Sequence, residues 1–119
     1  MDRVRAERIQ LAQARENSTN AVSVHSPPTG HLDVVETVTL CNQSGSSASF
    51  RLFLDDDGTT YDESTALYWD ADLPADSTLT IELDHGLYMA NSDGNLAYRS
   101  SAANAITITV WGIREFRNK

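Results

Sequence analysis

The chain has 119 residues, of which 40% are hydrophobic and 22% charged, with a net charge of −8 and a pI near 4.6. That suits one domain with a real core, burying about two thirds of the surface its unfolded chain would expose. It excludes a disordered polyelectrolyte and argues against nucleic acid as a partner, because phosphate binding needs clustered Lys and Arg.

The charge is uneven along the chain. Residues 1–17 carry four Arg against three acids, a net of +1; residues 18–112 carry two Arg against thirteen acids, −11; residues 113–119 carry three cations against one acid, +2. An acidic body with mildly basic ends suits head-to-tail or side-by-side association as well as plain solubility. No apolar run reaches the roughly 18 residues that a membrane span needs, so no membrane partner is expected. Nothing near Met1 reads as a secretory signal. Cys41 stands alone, which excludes an intrachain disulfide and points to a buried, inert thiol.

Met1–Glu16 is rich in Arg, Ala, Gln, Glu and Leu, all good helix formers, and predicts a short helix with a thin stripe from Val4 to Leu11. Asn17–Asp33 reads as an extended linker, with Pro27-Pro28 barring a helix and a short edge strand at Val22–Val24. Together they predict an arm over residues 1–33 that reaches a neighbouring subunit, and a body over 34–119. Arg3, Arg5, Arg8, Leu11 and Arg15 are the arm's candidate partner-binding residues.

From Val34 the hydrophobic period becomes two. Val34–Asn42 predicts a central strand, with Val38 and Leu40 on one face and Val35 and Cys41 on the other. A polar turn at 43–47 leads to Ala48–Asp55, suggesting a hairpin. Ala66–Ala71 (ALYWDA) is a short aromatic strand, and Ser77–Asp84 a clean one with Leu79, Ile81 and Leu83 inward. Asn91-Ser92-Asp93-Gly94 predicts a hairpin turn with Gly94 at positive φ. Leu96–Arg99 and Ala105–Phe116 complete the set, the latter with Ile106, Ile108 and Val110 inward and Trp111 outward. Seven or eight short strands with regular turns predict an all-β fold, an antiparallel β-sandwich of Ig-like or jelly-roll type, preceded by a helical or extended N-terminal arm.

Catalytic and metal signatures do not assemble. The acids Asp55, Asp56, Asp57, Asp62 and Glu63 share a loop, but Phe53 stands where an EF-hand would place its first ligand. The three His lack zinc spacing. There is no nucleophile elbow, phosphate loop or dinucleotide fingerprint. The expectation is therefore a non-enzyme without a cofactor. Tyr68, Trp69 and Trp111 are candidate partner-binding aromatics, suited to a subunit interface or to stacking on sugar.

Several stretches carry a family resemblance. These are Cys41-Asn42-Gln43-Ser44-Gly45, Ala66-Leu67-Tyr68-Trp69-Asp70, Ser100-Ser101-Ala102 and Thr109-Val110-Trp111-Gly112. Over residues 35–115 the chain resembles the small β-sandwich virion proteins of tailed bacteriophages, of the cement, decoration or tail-associated type. The resemblance implies a structural protein, commonly a homotrimer or other homo-oligomer, bound to a major capsid or tail protein. It implies a place in the virion after assembly in the bacterial cytoplasm, where the absence of disulfides fits. The alternative is a receptor- or carbohydrate-binding module at a tail tip or fibre.

Overall fold

The computed structural model describes residues 3–118. Met1, Asp2 and Lys119, and the side chains of Arg3, Val4, Arg117 and Asn118, lie outside the described residues. Eight strands run in order: β1 Arg3–Arg15, β2 Val22–His25, β3 His31–Asn42, β4 Ala48–Asp55, β5 Ala66–Leu73, β6 Ser77–Met89, β7 Asn95–Ser100 and β8 Ile106–Asn118. They form two four-stranded antiparallel sheets, β1-β8-β3-β6 and β2-β7-β4-β5. Every connection except β4–β5 passes from one sheet to the other. That order is a jelly roll, which decides between the two sandwich types the pattern allowed.

Two expected hairpins are corrected by this topology. β3 and β4 lie in different sheets, as do β6 and β7, so the turns between them are arches over the end of the sandwich. Gly94 has no positive φ. It is required for another reason: a Cβ there would sit 2.6 Å from the Asp56 carbonyl oxygen.

The larger correction concerns the N-terminus. Residues 3–15 are a strand, not a helix, and pair antiparallel with β8 from Arg3↔Asn118 to Arg15↔Thr107. Helix propensity is a weak prior of a few tenths of a kcal/mol per residue. Here it is overridden by a ladder of backbone hydrogen bonds along a 13-residue neighbour. The small side chains of Ala12 and Ala14 face the core, where bulkier groups would be needed to stabilise a docked helix. The expected strand near Val22 is present as β2, at the edge of the second sheet.

The core lies between the sheets. Val38, Leu40, Ile106, Ile108 and Val110 from the first meet Phe50, Leu52, Leu96 and Tyr98 from the second, all buried. Each such side chain contributes about 1.5–3 kcal/mol by leaving water. The alternation predicted for β8 holds throughout. In β3 it breaks at a register shift between Val35 and Thr37, in both of its ladders. The extra residue, Glu36, re-phases the strand, so Val35 faces inward with Val38 and Leu40. Cys41 is half-buried on the outer face, not in the core.

The arches at one end are tied by polar contacts. Buried Asn42 donates from Nδ2 to the Leu73 and Ser46 carbonyls at 3.0 and 2.9 Å. The buried Tyr98 hydroxyl accepts from the Glu16 amide at 2.8 Å and donates to the Ile106 carbonyl at 3.0 Å. It thus joins the end of β1 to the start of β8.

The other end holds a buried charge cluster. Asp33 of β3 is fully buried and accepts hydrogen bonds from Nε and one terminal guanidinium nitrogen of Arg114 of β8, at 2.8 and 2.9 Å. Its Oδ2 also meets His25 Nε2 of β2 at 2.6 Å. The cluster therefore bridges the two sheets. Burial pushes the His25 imidazole below its usual range, against the opposing pull of Asp33. Burial alone would raise the Asp33 carboxyl, but Arg114 and His25 together hold it below the ordinary carboxylate range. The Arg114 charge nearby also disfavours a proton on His25.

Two outcomes follow from these ties. Tyr98→Phe leaves the Glu16 amide and Ile106 carbonyl without their partner, and should cost about 1–3 kcal/mol in urea unfolding; an unchanged midpoint would place the hydroxyl in water. For His25, a lowered folded pKa means the unfolded chain binds the proton more readily. Its stabilisation is complete above the unfolded value of about 6.5 and is lost as pH falls below it. Between about pH 7 and pH 5, wild type should therefore lose stability relative to His25→Gln, which keeps a donor towards Asp33. Wild type gaining on the variant over that range would mean a charged His25.

Candidate functional site

The predicted partner-binding residues separate into two groups, one on each sheet. Arg5, Arg8, Leu11 and Arg15 lie along β1, the edge of the first sheet, with the Arg3 backbone at its start. The Arg5 guanidinium lies 4.7 Å from the Phe116 ring centre and 3.3 Å from Glu7. Arg8 pairs with Glu36 through Nε at 3.0 Å and a second nitrogen at 3.4 Å. Both pairs are exposed, so they contribute little to stability. Leu11 falls at the β1 register shift and packs partly against the core. Arg15 is exposed beside Thr107.

Trp111 stands on the outer face of the same sheet, opposite Gln10 and Thr37 and 43% exposed. Further along that face, Val34, Glu36, Leu83, Tyr88 and Ile113 line a groove of about 360 Å³. Tyr88 is its most open member, at 64% exposure. Tyr88 faces outward, opposite Val34. That position depends on an irregularity: Val35 pairs with Leu87 while Thr37 pairs with Glu82, so residues 83–86 loop out of the β3 ladder.

Tyr68 and Trp69 lie on β5, at the edge of the second sheet. The Tyr68 ring packs on Phe50 at 5.7 Å. Trp69 meets Phe53 edge-on at 6.3 Å and carries the Arg51 guanidinium 3.6 Å from its ring centre. Arg51 also makes a two-pronged pair with Asp70, at 2.6 and 3.0 Å. Arg51 holds the Asp70 carboxyl below its ordinary range. Phe53, on the outer face of this sheet, is almost fully buried beneath Trp69 and Tyr61. The cover over Phe53 comes from Trp69 on β5 and from Tyr61 in the β4–β5 connection.

Sugar stacking would need Trp69 and Trp111 on one plane. They stand on different sheets, and Arg51 occupies one face of Trp69. The acidic loop is likewise committed to its own backbone. Asp55 accepts from the Thr60 amide at 2.8 Å and the Asp57 amide at 3.1 Å, which lowers its pKa, while Asp57 beside it is raised. Among the described residues no three His, Cys, Asp or Glu gather to hold a metal ion. In the His25–Asp33–Arg114 cluster His25 and Asp33 are buried and Arg114 is partly exposed, and the cluster serves as a tie between sheets. Its parts are 8 and 81 residues apart in sequence, so spacing could not reveal it.

No protein-family model matches the chain, and no curated protein matches it. A solved structure does share the fold of this chain. Over 96% of its length it is similar to a chain of the T13 particle of infectious bursal disease virus, with a TM-score of 0.55 and 11% identity. Weaker likenesses are to the VP2 subviral particle of the same virus, with a TM-score of 0.46, 14% identity and 95% coverage, and to the tobacco streak virus coat protein dimer, at 0.48, 6% and 98%. The chain spans 30% and 32% of the two bursal disease virus chains and 86% of the tobacco streak virus chain. At this identity the first likeness is one of fold: an eight-stranded jelly roll.

Proposed function

We propose that this chain is a non-enzymatic structural component of a virus particle. The strand order β1-β8-β3-β6 over β2-β7-β4-β5 is the observation that carries the reading. Jelly rolls also serve in lectins and cupins, so fold alone is an analogy. Two further features favour the particle. The aromatics are divided between two outer faces, as suits packing against neighbours on several sides, and the polar side chains of the loops are spent on turns and ties. The shared fold with a chain from a virus particle supports the same reading.

Within it, the resemblance over residues 35–115 supports a tailed bacteriophage as the source of the particle. The chain would cement or decorate the capsid or join head and tail parts. Its partners would be a major capsid or tail protein and further copies of itself, as a trimer or another homo-oligomer. Its place would be the virion, after assembly in the bacterial cytoplasm.

The test is composition. Particles made by the genome encoding this chain, purified through a density gradient and measured by quantitative mass spectrometry, should contain the chain at a fixed ratio to the major shell protein. Complete, infectious particles lacking the chain, with all of it left in the soluble lysate, would contradict the proposal.

A further inference from the structure

The two flanks of the sandwich carry opposite charge. β1 and β6 are the outer strands of the first sheet, each 13 residues long. On β1, Arg5, Arg8 and Arg15 stand against Glu7 alone. β6 carries Glu82 and Asp84 and no Lys or Arg. β5, the edge of the second sheet and in contact with β6, adds Asp70 and Asp72. Arg15, Asp72, Glu82 and Asp84 are exposed and make no ion pair among the described residues.

Each outer strand also presents a row of backbone N–H and C=O groups along its free side. Such edges template pairing with another chain, and charge decides which pairing is allowed. Like charge opposes β1 on β1 and β6 on β6; opposite charge favours β1 on β6. Direction agrees. The four strands alternate, so β1 and β6 run in opposite senses. A second copy in the same orientation sets its β1 antiparallel to β6 of the first, and the sheet continues from one molecule into the next. The regular stretch Ser77–Glu82, before the looped-out residues 83–86, is the part of β6 fit to extend the ladder.

We infer that the acidic β5–β6 flank of one copy binds the basic β1 edge of a second copy, head to tail. Such a contact uses two different surfaces, so it closes into a ring when the rotation permits and otherwise runs on as a filament. The inference deepens the particle reading by naming the neighbour and its contact. It is tested in solution with no virus present, so it can fail while the composition of the particle still holds, and the reverse.

The full chain is measured by light scattering after size exclusion, at about 0.01 M salt, where charges act over about 30 Å, and at about 1 M, where they act over about 3 Å. At low salt the mass should be at least twice the 13.1 kDa of one chain and should fall towards that value at high salt. Glu82→Lys with Asp84→Lys makes both edges basic; Arg8→Glu with Arg15→Glu makes both acidic. Each variant alone should run as a monomer, and an equimolar mixture of the two should assemble again. Far-ultraviolet circular dichroism checks that both fold, and Asp72→Lys with Asp84→Lys replaces the first variant if it does not. A wild-type monomer at low salt, variants that assemble as wild type does, or a mixture that stays monomeric would overturn the inference.

Discussion

The structure depends on β8. It is the only strand of its sheet that holds both the chain's beginning and its middle, lying between β1 and β3 over most of its 13 residues. Its inner face supplies Ile106, Ile108 and Val110 to the core, and its far end supplies Arg114 to Asp33. Its backbone must also pass close to β3. A Cβ on Gly112 would lie 2.0 Å from the Val34 carbonyl oxygen, so this position accepts only glycine without a shift of the sheet. The register irregularities at Leu11 in β1 and Glu36 in β3 fall at the same level, where the sheet bends around that close approach.

That bend divides the molecule. Below it, the two sheets face each other across an apolar core. Beyond it, the first sheet runs on with strands of 12 and 13 residues, while those of the second have 4 to 8. The molecule is accordingly long, 54 × 25 × 24 Å. The inner face of the extension is stabilised by the ionic cluster around Asp33 and by rings and guanidinium groups stacked in series, His31 on Phe116 and Arg5 over the same ring. Its outer face carries Trp111 and the groove lined by Val34, Leu83, Tyr88 and Ile113. The extension thus has one ionic face and one aromatic face, flanked by strands of opposite charge.

Much of this was legible in the sequence. Strict alternation in ITITVW and STLTIEL located β8 and β6 and the inward Ile106, Ile108, Val110, Leu79 and Ile81, because burial on one face of a pleated strand demands period two; Leu83, also expected inward, lines the outer groove where the ladder breaks. The strand at Ala48–Asp55 matched to the residue. The N-terminal strand was illegible because β1 lies at an edge and covers its neighbour with backbone hydrogen bonds, so its side chains needed no alternation. RVRAERIQLAQAR therefore keeps a composition that also suits a helix. The pairing of arches with sheets was illegible for another reason. Turn chemistry specifies where a chain reverses, not whether it returns to the same sheet. The Asp33–Arg114 pair joins residues 81 apart, and an acid on the apolar face of the HLDVVETV strand was its local sign.

The central claim is that residues 3–15 complete the jelly roll as a strand on β8. Amide hydrogen exchange followed residue by residue on the full chain tests it most directly. The account predicts slow exchange at those β1 amides that bond to β8, alternating with fast exchange at those on the free edge. Uniformly fast exchange from 3 to 15, with β8 still protected through β3 alone, would contradict it.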